Sequence, residues 1–383
     1  MGKNSKIAWT DHTFNPWWGC TKVSPGCDNC YAAGVAKRMG FDVWGDDKPR
    51  RFFGDKHWAE SIAWNAEATA AGVRRRVFCG SMCDLFEGDD SGASELDYQR
   101  DALWHLIENT PNLDWLLLTK RPENVETMVP TEWTDPEGIK SRCKHFSQQS
   151  GNEVVPDRSL GWPANAWLGV TAENQEQADK RIPLLLKMPA PVRFLSCEPL
   201  LGPIDLARWL KPYADAIDIV GGINHGVNFN WVNLDTSALP PKPDWVIAGG
   251  ESGRNARPMH PDWVRGLRDQ CQAAGVAFFF KQWGEWHPEA SSNWCMEKGK
   301  YRYGAVDGLT ILRDGRVAVR NSKDDPAGRG IIVNQTAYDA VTRELRRERD
   351  ACETIGYQWM QKIGRKKAGS LLDGRDWVEF PTA

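Results

Sequence analysis

Three cysteines near the start of the chain, Cys20, Cys27 and Cys30, stand at C-x6-C-x2-C in GCTKVSPGCDNCYA. A close C-x-x-C pair of thiolates with a third one loop away can cap three irons of a 4Fe–4S cube. The fourth iron then stays open for a cofactor or substrate. The same thiolates could hold a structural zinc ion if His12 or a distant cysteine completed the tetrahedron, and they could also stand unliganded. Ser24, Pro25 and Gly26 let the loop wrap tightly, and Tyr31 is expected to open a helix that shields the site.

Polar and charged residues also recur directly after apolar runs, at six points: Ser81 and Asp84; Lys120 and Arg121; Thr171, Glu173 and Asn174; Glu198; Glu251 and Ser252; Lys281 and Gln282. Such groups are costly beside an apolar core unless they are paired or used. Each has a structural alternative: Asp84 or Glu198 capping a helix, Lys120 pairing with either, Lys281 pairing with Glu251. Lys281 follows three phenylalanines, so its ammonium must emerge where that strand ends. Cys79 and Cys83 read as small buried apolar side chains, and Cys143 with His145 as incidental.

The runs that carry these residues are RRVFCGS (75–81), LDWLLLT (113–119), NAWLGVT (165–171), PVRFLSC (191–197), PDWVIAG (243–249) and GVAFFFK (275–281). Continuous apolar runs bounded by turn residues fit strands buried on both faces, as in a parallel sheet. Helical patterns such as ASELDYQRDALWHLIEN and HPDWVRGLRDQCQAAG separate them, and IAWTDHTFNPWWG supplies one strand more. Six or seven β/α units predict an α/β fold, a partial or near-complete (β/α) barrel, with an open doubly wound sheet as the competitor. In a barrel all the strand-end residues converge on the C-terminal mouth, where the cysteine loop would also sit.

The barrel is expected over residues 1–286, with insertions at about 130–164 and 211–242. A small extension with a hairpin, LTILRDGRVAVR, is expected over 287–334. A polar, basic helical tail with a loose end is expected over 335–383. With 383 residues the chain is long enough for this; no run of 18 apolar residues suggests a membrane span, and an N-terminus without an apolar leader predicts a cytoplasmic protein. A net charge of −3 gives no global footprint for nucleic acid. Residues 343–367, with eight Lys or Arg against four acids, read as a solvated helix face or as a weak nucleic-acid contact.

The order of motifs, WTDHTFNPWWGC, GSMCDLFE, LLLTKRP, WLGVTAENQ, LSCEPLLGPID, AGGESG and FFFKQWGE, resembles a phage and prophage family named for its three cysteines and grouped as a domain of unknown function. The likeness runs from about Ile7 to Trp286. That family resembles a divergent branch of the radical S-adenosylmethionine enzymes, whose usual spacing is C-x3-C-x2-C; the first gap here is six. The resemblance implies a 4Fe–4S cluster on Cys20, Cys27 and Cys30, S-adenosylmethionine as cofactor and an external one-electron reductant. The substrate would be a nucleotide, a DNA base or a peptide. It further implies Ser81 and Asp84 on the methionyl amine, and Glu173 and Asn174 on the ribose or carboxylate. Thr171 and Glu198 would line the cofactor, and Lys281 and Glu251 would act on substrate. Gly249-Gly250-Glu251 resembles the amine-binding Gly-Gly-Glu segment of those enzymes, but follows the sixth strand and not the second. The alternative is a zinc-stabilised, non-enzymatic barrel that binds nucleic acid or a partner protein.

Overall fold

The computed structural model describes residues 2–88, 94–135, 137–141, 160–210, 241–288, 308–312, 317–319, 331–332, 357–362 and 365–381. A short first strand, β1 (His12–Phe14), precedes the six apolar runs, which become β2 (Arg75–Cys79), β3 (Leu113–Thr119), β4 (Ala166–Thr171), β5 (Arg193–Cys197), β6 (Trp245–Gly249) and β7 (Ala277–Gln282). All pair in parallel with their sequence neighbours, in the order β1-β2-β3-β4-β5-β6-β7. A doubly wound sheet reverses its order at a switch point; this one never does. β1 and β7 do not pair, so the curled sheet is a partial (β/α) barrel.

The strands read as unbroken apolar runs because both faces are covered. Trp115, Leu117, Leu168 and Val246 pack with helix residues such as Leu103 and Val264 on one side. Phe78, Leu116, Trp167, Phe194, Trp245 and Phe279 join Trp9 in a second cluster on the other. The helices α1 (Tyr31–Arg38), α2 (Asp55–Ala71), α3 (Glu95–Glu108), α4 (Gln175–Leu185) and α5 (Pro261–Ala274) carry the expected stop and start signals. Ser94 and Asp97 form a capping box at α3, Asn174 caps α4, and α2 and α5 end at Gly72 and Gly275. None of the described helices is long and apolar enough to cross a membrane.

The C-terminal part departs from expectation. Gly308–Leu312 and Val317–Val319 do pair antiparallel as the predicted hairpin, Leu309 facing Val319. Residues 357–362, expected within a long helix, are instead a strand, wedged between Trp286–Pro288 and Gly308–Leu312 in a five-stranded antiparallel sheet. YQWMQK is rich in aromatic and polar residues near a period of two, which suits a strand; the charged stretch before it pulled the reading toward helix. The basic run 343–367 is therefore not one helix face; residues 343–356, 363 and 364 lie outside the described ones, as do Cys143, His145 and most of both insertions.

Residues 377–379, expected in a loose end, pack on the sheet: the amide of Phe280 donates to Trp377 O at 2.8 Å and that of Glu379 to Phe278 O at 3.2 Å, so they cover the open edge of β7. An exposed edge invites pairing with another chain, and this segment blocks it. Asp373 ties the segment to α5 by accepting from Arg265 at 2.9 and 2.8 Å and from Arg268. Those guanidiniums hold the Asp373 carboxyl below the usual carboxylate range. A lowered folded-state pKa stabilises at pH values above the unfolded one, near 3.9, and the benefit is lost as pH falls through the folded value. Asp373→Asn is expected to speed hydrogen exchange at the Phe278 and Phe280 amides at neutral pH. At a pH low enough to protonate Asp373 the wild type should lose its advantage. Equal exchange at neutral pH would remove Asp373 as the fastener.

Candidate metal centre

The cysteine loop leaves β1 through Trp17–Trp18, which pairs antiparallel with Arg51–Phe52, and returns through a single turn, Pro25–Cys27, into α1. Cys30 is the residue that caps α1, and its amide donates to Cys27 O at 3.3 Å. The C-x-x-C pair is thus fixed by one turn of backbone at a helix start. All three loop thiols are half-buried, whereas Cys79, Cys83, Cys197 and Cys271 are buried.

Three carboxylate–guanidinium units, following β2, β4 and β6, hold this loop. In the first, Glu87 accepts from Thr21 N at 2.9 Å and pairs with Arg50 at 2.8 Å. Arg121 donates to Thr21 O at 3.1 Å and to Cys20 Sγ at 3.6 Å, and pairs with Asp84 at 3.1 Å. In the second, Glu173 accepts from Ser24 Oγ and from Gly26 N at 3.0 Å, and from Arg181 at 2.8 Å. A Cβ on residue 26 would stand 2.9 Å from Glu173 Oε1, so only glycine lets the loop lie this close. In the third, Glu251 accepts from Arg257 at 2.6 and 2.9 Å and from Asn29 Nδ2 at 3.1 Å, while Arg257 donates to Pro25 O at 2.9 Å.

These contacts reassign several predicted ligands. Asp84 accepts from Thr119 Oγ1 at 2.6 Å, Phe86 N at 3.1 Å and Lys120 N at 3.0 Å, besides its ion pair, so it fastens β2 to β3. Ser81 is bonded to Asn15 at 3.0 Å. Glu173 is 0% exposed and its oxygens are taken up by the loop and Arg181, so it does not reach a ribose. The amide oxygen of Asn174 caps α4 through Gln177 N at 3.0 Å. Glu251, read as acting on substrate, is here held by Arg257 and by Asn29 of the loop. Lys281 does emerge at its strand end, but pairs with Glu198 at 2.7 Å and not with Glu251. Thr171 is buried, and its hydroxyl has no hydrogen-bond partner among the described residues. Thr171 is as fully enclosed as Glu173, whereas the Glu198–Lys281 pair is only half-buried and is the predicted pair that a ligand could reach.

Sequence reasoning missed Glu87, Arg50, Arg181, Arg257 and Asn29 as parts of the site. Glu87 was legible, since GSMCDLFE ends on it. The arginines were not, because nothing in a sequence says which carboxylate a distant guanidinium will meet.

Burial, then the charges of Asp84 and Glu87, push the Cys20 thiol up to about 12 against the pull of Arg121. That shift disfavours the Cys20 thiolate in the metal-free protein and makes it a poor nucleophile there. Among the described residues no three His, Cys, Asp or Glu side chains come close enough to share one metal ion. A cube imposes a looser demand, because each thiolate binds a different iron. His12, the suggested fourth zinc ligand, begins β1 at the far end of the sheet, where it stacks on Trp64 at 4.7 Å and lines a polar cavity of about 200 Å³. Among the described residues no fourth protein ligand joins the three half-buried loop thiols, and such a three-thiol donor set is one that a cluster with an open iron could use.

A family model matches residues 4–381, nearly the whole chain. The chain belongs to the family described as "Protein of unknown function (DUF5131)". No curated protein sequence matches it. Among solved structures it is similar to three variants of spore photoproduct lyase, one of them with a dinucleoside spore photoproduct. Identity is 10%, the TM-scores are 0.33, 0.33 and 0.35, and the match covers 93% of this chain and 76% of each of those. At such scores the likeness decides nothing about the site, and the fold rests on the strand order.

Proposed function

We propose that this DUF5131 protein is a radical S-adenosylmethionine-type enzyme that holds a 4Fe–4S cluster through Cys20, Cys27 and Cys30. The observation that supports it most is the cysteine loop itself: three half-open thiols, clamped by groups from three alternate strand ends of a parallel (β/α) sheet. Such a cluster, once reduced by an external one-electron donor, supplies the electron that cleaves S-adenosylmethionine to a radical able to abstract hydrogen from a substrate. The protein's own work is positioning. Glu87, Glu173 and Glu251 hold the loop open-faced without using the thiols. The half-buried Glu198–Lys281 pair would orient cofactor or substrate, with Lys281 able to present a proton or a cation. A nucleotide, a DNA base or a peptide remains the proposed substrate class.

The test is anaerobic reconstitution of the full chain with iron and sulfide, followed by metal analysis and spectroscopy. Wild type is expected to bind about four irons with broad thiolate-to-iron absorbance. Cys20→Ala, Cys27→Ala and Cys30→Ala should each lose the cluster, while Cys79→Ala should keep it, because that thiol is fully buried at the end of β2. Iron content unchanged in the three loop variants, or a colourless wild type carrying one zinc, would overturn the reading.

A further inference from the structure

The three thiols differ in one respect that loop anchoring does not require. Arg121 Nη1 donates to Cys20 Sγ at 3.6 Å; among the described contacts, the sulfurs of Cys27 and Cys30 receive no such donor. Arg121 is held there firmly. Its backbone amide donates to Thr119 Oγ1 at 2.9 Å, its other terminal nitrogen bonds Thr21, and its side chain is 8% exposed against an Asp84 that is equally buried.

We infer that Arg121, by donating to the Cys20 sulfur, raises the reduction potential of the cluster and so sets how easily it is reduced. The inference rests on the cluster reading above. In the reduction, one electron from an external one-electron carrier passes to the oxidised cluster, and no bond forms or breaks. That electron adds negative charge to the irons and their thiolates. A hydrogen-bond donor and a fixed positive charge against a ligand sulfur stabilise this more negative state over the oxidised one. Because the guanidinium is buried, solvent screens it little. The charge balance points the same way. Arg50 and Arg121 face Asp84 and Glu87 beside Cys20, so removing Arg121 leaves one carboxylate there uncompensated.

A residue that merely fastened the loop would change cluster occupancy or thermal stability and leave the potential of a fully loaded protein alone. The experiment therefore compares midpoint potentials, by redox titration followed by electron paramagnetic resonance, at equal iron content. The full-length proteins are wild type, Arg121→Met, Arg121→Lys and Lys120→Met. Lys120 is the neighbouring cation and has no described contact with a thiol. Arg121→Met is expected at a more negative midpoint, so that at the wild-type midpoint its ratio of reduced to oxidised cluster falls on the order of tenfold, as the loss of one charge-assisted hydrogen bond would give. Arg121→Lys keeps the pair with Asp84 but lacks the fork that reaches Cys20 and Thr21 together, and is expected between the two. Lys120→Met should titrate with wild type. Should Arg121→Met fail to fold or load, Arg121→Lys decides: a midpoint below wild type upholds the inference, and one equal to it overturns it. A loaded Arg121→Met at the wild-type midpoint, or a Lys120→Met shifted as far, also overturns it. A wild type that takes up no cluster brings down the proposed cofactor instead, which is a different and visible failure.

Discussion

Glu173→Ala is expected to cost the protein about 3–5 kcal/mol of stability, because it leaves the Arg181 guanidinium charged, buried and without its carboxylate. Arg181 keeps only its bond to Thr171 O at 2.9 Å. The same change releases Ser24 Oγ and Gly26 N, so the cysteine loop loses its central anchor. Urea unfolding measures the first effect, and hydrogen exchange across residues 21–28 the second. Glu173→Gln keeps the shape and one acceptor and should cost less, though more than a surface change. Burial alone would raise the Glu173 pKa, but Arg181, Ser24, Lys120 and the Gly26 amide outweigh it and hold the carboxyl below the usual range. The sign follows: this stabilisation is complete above the unfolded-state pKa of about 4.3 and disappears as pH falls through the lower folded value. Wild type should thus lose its margin over Glu173→Gln in acid. An alanine variant as stable as wild type at pH 7 would mean that the ion pair and the loop anchor are both dispensable.

The strands were legible because burial on both faces leaves little room for polar residues along them, as in LDWLLLT, where Leu116 and Leu117 face opposite cores. Barrel against doubly wound sheet was not legible, since that turns on which strand each one meets. The same limit governed the site. A polar group after each strand was visible, and its convergence on the cysteine loop followed from parallel order. Its role was not, because Asp84 is answered by Arg121 across a strand, Glu173 by Arg181 from within α4, and Glu251 by Arg257 in a turn. A carboxylate whose guanidinium partner cannot be read from the sequence looks free, and these three were therefore read as cofactor or substrate contacts. The tail failed for a related reason: the covering of β7 depends on Glu379 meeting Phe278, two segments that share no local pattern.

Gly249-Gly250-Glu251 tests whether a familiar tripeptide is there for a ligand or for the fold. Glu251 belongs to the loop clamp. Gly250 donates to Gln282 O at 2.8 Å, and a Cβ on it would sit 1.9 Å from Trp283 O and 2.5 Å from Trp283 C. Both obstacles are backbone, so the chain just past β7 would have to move and could not simply choose another rotamer. Gly250→Ala is expected to lose roughly 3 kcal/mol, the upper part of the usual range for overpacking. A Cβ at Gly249 is tight only against the Glu198 carboxylate, at 3.3 Å, a side chain able to shift, and it meets Gln282 O at an ordinary 3.5 Å; Gly249→Ala should cost about 1 kcal/mol or less. Unfolding in urea gives both numbers, and calorimetry with S-adenosylmethionine on reconstituted protein supplies the contrast. If the two glycines existed to let a bound amine approach, both variants would stay as stable as wild type and lose affinity together. If they serve packing, the damage falls on stability, and Gly250 bears most of it, because only there does the chain meet a wall that has no side-chain freedom to yield.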